Sequence, residues 1–311
     1  MNGFLYTLTL QEPVLANSLG GEPNSADSLS YIPGGAVRGA FIQKFGGTPD
    51  AADETFRRLF LNGETRFLNA YPVLDGKRSL PAPLTWQQKR KSEDKTVYRN
   101  LDCVPMDKNN EKFEAESVRF DFWVQKGDSL QYAEATWQVN IHTQRDAEHG
   151  RAVVVSDPDD PQQKNTLGTV YRYIALPAGT KLQGVVLTKT PEDAQTLRDL
   201  FLNEKNVLLG KARTAGYGTA TLEIEDLKDW REFDAALVRE DKQITLTLLS
   251  PAIVRDENGQ AGLELTPALR AHFGDRAKAT PVSRRETLVA GFNRKWGLPL
   301  PQVAAIEAGS V

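Results

Sequence analysis

Two helical segments, each led into by an alternating strand, limit this chain more than any other feature of its sequence. Phe4, Tyr6, Leu8 and Leu10 recur at every second position, the period of a strand with one face in a core. A polar, glycine-containing loop runs through Asn17 to Asp27. After Tyr31-Ile32-Pro33-Gly34-Gly35, the residues Val37, Ala40, Phe41 and Phe45 stand at helical spacing until Gly46-Gly47 ends the run. Far downstream, Thr169 to Ala175 and Lys181 to Thr188 flank Leu176-Pro177-Ala178-Gly179-Thr180, which predicts a hairpin with a Pro/Gly turn. The second helix announces itself by its start. Thr190 is placed as N-cap, Pro191 suits the first helical position, and Asp193 sits where a capping-box acid belongs, ahead of Ala194, Leu197, Leu200 and Phe201. Val207 to Leu209 and Thr219 to Ile224 then bracket a glycine-rich loop.

The resulting order, β-α-(insertion)-β-β-α-β, predicts an α+β chain of ferredoxin-like or RRM-like type. The insertion, about 47–165, holds strand-like pieces at Thr65 to Ala70, Val118 to Gln125 and Ala135 to Thr143. Ile244 to Leu249, leading into Ser250-Pro251-Ala252, echoes Leu5 to Pro13 and suggests a second, related unit. With 311 residues and roughly 100 to 200 per domain, two domains are expected, 1–228 including the insertion and 240–311.

Hydrophobic residues make up 40% and charged residues 25% of the chain, which excludes collagen-like, coiled-coil and wholly disordered classes. No apolar run approaches the roughly 18 residues of a membrane span, and Met1 to Leu5 do not open a signal peptide. A cytoplasmic protein is expected. Cys103 has no internal disulfide partner, and His142, His149 and His272 make no zinc signature, so neither metal nor other cofactor is expected. The net charge is −3. A polyanion would therefore have to be held by local patches. One runs through Lys77, Arg78, Lys89, Arg90, Lys91, Lys95 and Arg99, opposed by Glu93 and Asp94; another through Arg276, Lys278, Arg284, Arg285, Arg294 and Lys295, opposed by Glu286. The plainer alternative is a pair of solvated loops.

Gly210-Lys211-Ala212-Arg213-Thr214-Ala215-Gly216-Tyr217-Gly218 is neither a Walker A loop nor a dinucleotide fingerprint. Its glycines let backbone approach a phosphate, Lys211 and Arg213 supply charge, and Tyr217 supplies a face for a base. The alternative is a turn whose glycines serve backbone geometry alone. Gly34-Gly35, ahead of a helix carrying Arg38, raises the same question, because helix N-termini favour anions. Trp86 lies among Gln87, Gln88, Lys89, Arg90 and Lys91, a mixture suited to stacking plus phosphate contact.

These residues resemble a known family. Tyr31 to Ala40 is similar to the "IPG-small-x-hydrophobic-RGA" segment of the CRISPR-associated RAMP superfamily, and Gly210 to Gly218 to its C-terminal glycine-rich loop. Leu59 to Pro72 and Gly291 to Pro299 are similar to the Csx-ten subunit of type III-D effector complexes. The resemblance runs through nearly the whole chain. It implies tandem RRM-like RAMP domains and a Cas-five-like role: holding the 5′ tag of the guide RNA (crRNA), beside Cas-seven-like backbone subunits and a Cas-ten-like large subunit, in antiviral defence. The sequence ends at Val311 soon after Trp296, where such subunits usually continue, so the second domain is expected to be partial. The implied RNA-binding residues are Tyr31, Gly34, Gly35, Arg38, Lys211, Arg213, Thr214, Gly216, Tyr217, Gly218, Asn293, Arg294, Lys295 and Trp296. Arg66, Trp86, Lys89, Arg90 and Lys91 are candidate contacts to RNA or to a neighbouring subunit.

No catalytic constellation stands out, and a noncatalytic subunit is expected. The alternative is a RAMP endoribonuclease that processes guide precursor RNA. Such an enzyme would want a His with Lys or Tyr nearby, for which His142 is the best candidate. Asp27 bears comparison with the aspartates of target-cutting backbone subunits, but is equally a turn or cap residue. A third class is a scaffold that touches no nucleic acid.

Overall fold

The N-terminal alternation becomes an inner strand of a seven-stranded sheet, with Phe4, Tyr6, Leu8 and Leu10 all buried. The computed structural model describes residues 2–16, 25–46, 52–90, 97–99, 114–127, 129–143, 154–155, 167–168, 170–227, 230, 245–256, 258–293, 298–299 and 301–311. They form two units, Met1–Arg78 with Ala135–Trp230, and Ser79–Glu134 with Arg231–Val311. This grouping crosses the division expected from sequence. Residues 79–134, read as part of an insertion into the first domain, group with the C-terminal segment.

In the first unit the elements are β1 (Asn2–Leu10), β2 (Ser25–Asp27), α1 (Gly34–Phe45), β3 (Arg66–Phe67), β4 (Tyr71–Leu74), β5 (Lys77–Arg78), β6 (Gln138–Thr143), β7 (Val170–Ala175), β8 (Lys181–Thr188), α2 (Pro191–Asp199), β9 (Asn206–Leu208) and β10 (Thr219–Asp226). The large sheet runs β9-β10-β1-β8-β4-β5, with β3 also paired to β8, and its pairings are antiparallel. β1, α1, the β3/β4 segment, β8, α2 and β10 follow one another as β-α-β-β-α-β in this sheet, but the strand ahead of β8 is the β3/β4 segment and not, as expected, Thr169 to Ala175. Both helices join one core with the sheet. Val37, Ala40 and Phe41 of α1 and Ala194 and Leu197 of α2 cluster with Phe4, Leu8, Leu182 and Val186. The Phe41 ring lies 6.0 Å from Phe4, 5.3 Å from Phe67 and 4.7 Å from Phe201. α2 starts as its sequence predicts: Thr190 Oγ1 accepts from the Asp193 N–H at 3.2 Å, with Pro191 in the first turn.

Two expectations are corrected. Thr65 to Ala70 is a strand only at Arg66–Phe67, because the Ala70 N–H and C=O turn away to exchange bonds with Ile32 at 2.9 and 3.0 Å. The pair around Leu176 to Thr180 is not a hairpin. β7 pairs antiparallel with β6 and parallel with β2, whereas β8 pairs with β1. Between them Leu176 exchanges bonds with Val14, and the Gly179 N–H donates to Leu10 O at 2.7 Å. The turn is thus held on the end of β1, and the chain changes sheets there.

In the second unit, Phe122–Lys126 pairs with Leu80–Pro81 and Ser129–Ala133, and Trp86–Lys89 with Tyr98–Arg99 and Ala115–Ser117. Its C-terminal part carries one described helix, Thr266–Phe273, and short strand pairs including Glu286–Val289 with Val303–Ile306. Ile244 lies outside the described residues, and 245–249 do not form the expected strand. Leu248 does exchange bonds with the Gly309 N–H and Ser310 C=O, and Ala252 with Ile306, in a common antiparallel register. Leu248 and Ala252 share the parity that faces the 306–310 segment, so the missing N–H of Pro251 points away from it. The two chain segments of this unit are joined where the Leu84 N–H donates to Gly309 O at 2.8 Å.

Candidate nucleic-acid interface

The glycine-rich loop joins β9 to β10, and its backbone explains its composition. Four of its residues have positive φ: Gly210 at 66°, Ala212 at 57°, Gly216 at 78° and Gly218 at 100°. A Cβ at Gly210 would fall on Leu15 O, and one at Gly218 on Leu209 O. Glycine is needed there for fit as well as for angle. The loop is anchored by the Lys211 N–H on Leu15 O at 3.2 Å, the Gly218 N–H on Pro13 O at 3.0 Å and the Leu209 N–H on Gly218 O at 2.8 Å. Between these anchors a short 3₁₀ turn, Arg213–Ala215, faces outward. Lys211, Thr214 and Gly216 are exposed, and Arg213 is half-buried, its Nη2 donating to Leu208 O at 2.8 Å.

The segment that holds this loop leads to the other glycine turn. Next to Leu15, Ala16 takes the Leu29 N–H on its carbonyl at 2.7 Å and gives its own N–H to Ser28 Oγ at 2.9 Å. Leu29 stands three residues before Ile32, whose exchange with Ala70 leads into α1. Gly34 is buried, its N–H donates to Asn69 Oδ1 at 2.9 Å, and a Cβ there would fall on Phe67 O. Gly35, Arg38 and Gly39 form an exposed stripe of α1, with Arg38 Nη1 on Phe60 O at 3.4 Å. Tyr31 is half-buried, its ring 5.3 Å from that of Tyr71, on which the Arg78 guanidinium lies at 4.8 Å. Arg66 is exposed on β3.

Tyr217 does not offer its ring to a base. It is 2% exposed, packed with Leu15, Ala175 and Tyr173. Its Oη accepts from Asn140 Nδ2 at 2.7 Å and lies 2.8 Å from His142 Nε2. A buried hydroxyl needs both its hydrogen and its lone pairs engaged. The amide nitrogen can only donate, so the phenol hydrogen is free for His142 Nε2; in the tautomer that accepts it, the imidazole proton sits on Nδ1. Around this pair the β6–β7 sheet collects aromatic rings that the sequence did not single out, Tyr171 and Tyr173. The signal was present as alternation: Asn140 and His142 on one strand, Tyr171 and Tyr173 on the other. Burial, the neighbouring Tyr171 and Tyr217 phenols and a hydrogen bond to Tyr171 all push the Tyr173 phenol up from its ordinary pKa. Asp27 lies in β2 opposite Ile174, accepting from Ser25 Oγ at 3.1 Å.

In the second unit Trp86 is 7% exposed and sits in an aromatic cluster, 5.0 Å from Trp123, 6.2 Å from Phe120 and 6.4 Å from Tyr132. Its role is to support the cluster. Tyr132, at 38% exposure, is the ring that reaches solvent, stacked 4.1 Å from Phe120. Lys89 is half-buried and Arg90 exposed; Lys91 lies outside the described residues. Glu116 is pulled below its ordinary pKa by its hydrogen bond from Gln88 and then by Arg119 and Arg90. Asn293 lies in a strand opposite Leu298, while the Asn293 side chain and the residues Arg294, Lys295 and Trp296 lie outside what is described. Among the described residues, no His, Cys, Asp and Glu side chains group as a metal site requires, and no helix is long and apolar enough to cross a membrane.

No protein-family model matches the sequence, and no curated protein matches it. Solved structures do. A chain of the Type III-B Cmr-beta complex bound to cognate target RNA and AMPPnP superposes with a TM-score of 0.52 at 14% identity, covering 98% of this chain and 84% of that one. The fold is shared. Oligomeric Cmr4 from Pyrococcus furiosus, at 11% identity over 74% of this chain and all of that one, reaches only 0.34, too low to carry weight.

Proposed function

We propose that this chain is a noncatalytic guide-RNA-binding subunit of a type III CRISPR effector ribonucleoprotein, of the type III-D kind its Csx-ten-like segments suggest, and that it holds the 5′ tag of the guide. The observation that carries this is the glycine-rich loop: a stiff, glycine-dependent backbone that leaves Lys211 and Thr214 exposed, with Arg213 half-buried between them. The bonded path through Leu15, Ala16 and Leu29 toward the glycine turn of α1 supports a single surface bearing Arg38 as well. A fold shared with a chain of a complex bound to target RNA agrees with this, and the Cas-seven-like and Cas-ten-like partners are those the sequence resemblance implies.

Binding of labelled single-stranded RNA, titrated with salt, tests the proposal. The logarithm of affinity should fall linearly with that of salt, with a slope of about 0.7 per phosphate neutralised. Replacing Lys211 and Arg213 together by alanine should flatten that slope while weakening all RNAs alike. Absence of salt-dependent binding by the parent chain would leave the scaffold alternative standing instead. Shortening of end-labelled precursor RNA by the purified chain would favour the endoribonuclease.

A further inference from the structure

We infer that His142 and Tyr171, on the β6–β7 sheet, form a stacking seat for one nucleobase of a bound single-stranded RNA, with Tyr217 beneath as the positioning residue. This rests on the guide-RNA proposal and moves the stacking role from Tyr217, whose ring is covered, to rings beside it. His142 and Tyr171 are directly opposed in the antiparallel register, their centroids 5.3 Å apart and their planes within 15°. Two nearly parallel rings at this separation form an offset stack, which a base can extend. Tyr173 braces it at 4.9 Å from His142 and 5.1 Å from Tyr171, tilted about halfway to perpendicular at 50° and 55°. Tyr173 in turn meets Tyr217 edge-on at 84°.

The chemistry fits a base better than it fits a core. A face meant only to be buried would carry aliphatic side chains, whereas Asn140, His142, Tyr171 and Tyr173 all have polar tips and all remain half-buried beside the fully buried Tyr217. The aliphatic residues of this sheet, Val139, Ile141 and Val170, point the other way. The Tyr217 hydroxyl holds the His142 ring through Nε2 and leaves Nδ1 for a base edge, as donor or acceptor according to the tautomer. Tyr217 also belongs to the loop that carries Lys211, Arg213 and Thr214. One short loop therefore links a base platform to phosphate-binding cations, the combination that single-strand binders use.

The test uses the full chain and a single-stranded RNA carrying one 2-aminopurine, with the same backbone bearing an abasic site as comparison. The parent should quench the 2-aminopurine at one position of a scanned series and bind the base-containing RNA about tenfold more tightly than the abasic one. Tyr171→Leu, which keeps apolar bulk without a π-face, should abolish both differences, and Tyr171→Phe should keep them. Ile141→Thr, on the opposite sheet face, should leave both unchanged. If the parent binds RNA but shows no quenching and no preference over the abasic backbone, the seat does not exist while the guide-RNA proposal survives. If the parent binds no RNA, both fall. Loss of a protein subunit from the assembled complex on Tyr171→Leu, with RNA binding unaltered, would show that the platform docks polypeptide and would overturn the inference.

Discussion

The phenol of Tyr217 has one hydrogen to give and two side chains within reach, and that shortage sets the state of a histidine. With Asn140 donating to the oxygen, the phenol hydrogen is left for His142, and a His142 that accepts it at Nε2 holds its proton on Nδ1, the less common tautomer of a free imidazole. Nitrogen-resolved NMR of a chain with three histidines can read this directly. His142 should show a protonated Nδ1 in the parent and move toward Nε2–H in Tyr217→Phe, with a stability loss of about 1 kcal/mol for the missing bonds. A parent His142 already protonated at Nε2 would contradict the network. Tyr217 was visible in the sequence as an aromatic between two glycines, but not which side of the loop it takes. That depends on Leu15, Ala175 and Tyr173, which lie far from it in the chain and meet it only through tertiary packing.

At the scale of elements, α1 holds glycines with opposite duties. Gly34 is pressed on the backbone of Phe67, which has no flexible end to move aside, whereas Gly39 in mid-helix has open space. Gly34→Ala should cost about 1–3 kcal/mol by forcing helix and strand apart. Gly39→Ala should stabilise by about 0.5–1 kcal/mol through helix propensity. Thermal melts of the two variants check both signs; a melting point raised by Gly34→Ala would show the contact to be slack. The elements with strong local signals, β1, α1, β8, α2 and β10, were legible because alternation, caps and glycine punctuation act within a few residues. The hairpin before β8 was misjudged for the same reason. Pro177 and Gly179 do specify a turn, but only pairing with Val14 and Leu10 decides that the strands leaving it join different sheets.

At the scale of the molecule, net charge says less than placement: −3 overall is compatible with RNA binding when cations gather on one turn. The second unit depends on its last residues. Gly309 bonds to Leu84 and Leu248, Ser310 to Leu248, and Val311 to Val282 and Ser283. A chain shortened by Ala308 to Val311 should lose amide-exchange protection at Leu84, Leu248 and Ser283 while β1 and β8 keep theirs; unchanged protection would mean those bonds contribute nothing. The boundary near 228–240 is suggested by the echo of Leu5 to Pro13 in Ile244 to Ala252, and no local cue ties 79–134 to the C-terminal segment. That interleaving orders events in time. The first unit cannot close until its strands near residue 226 have been synthesised, since β1 needs β8 and β10 as neighbours. The second cannot close until translation reaches Val311. At roughly 5–20 residues per second, the Leu84 N–H waits on the order of ten seconds or more before the Gly309 carbonyl that accepts it exists. Any assembly that needs the closed second unit therefore comes after residue 311 has been made.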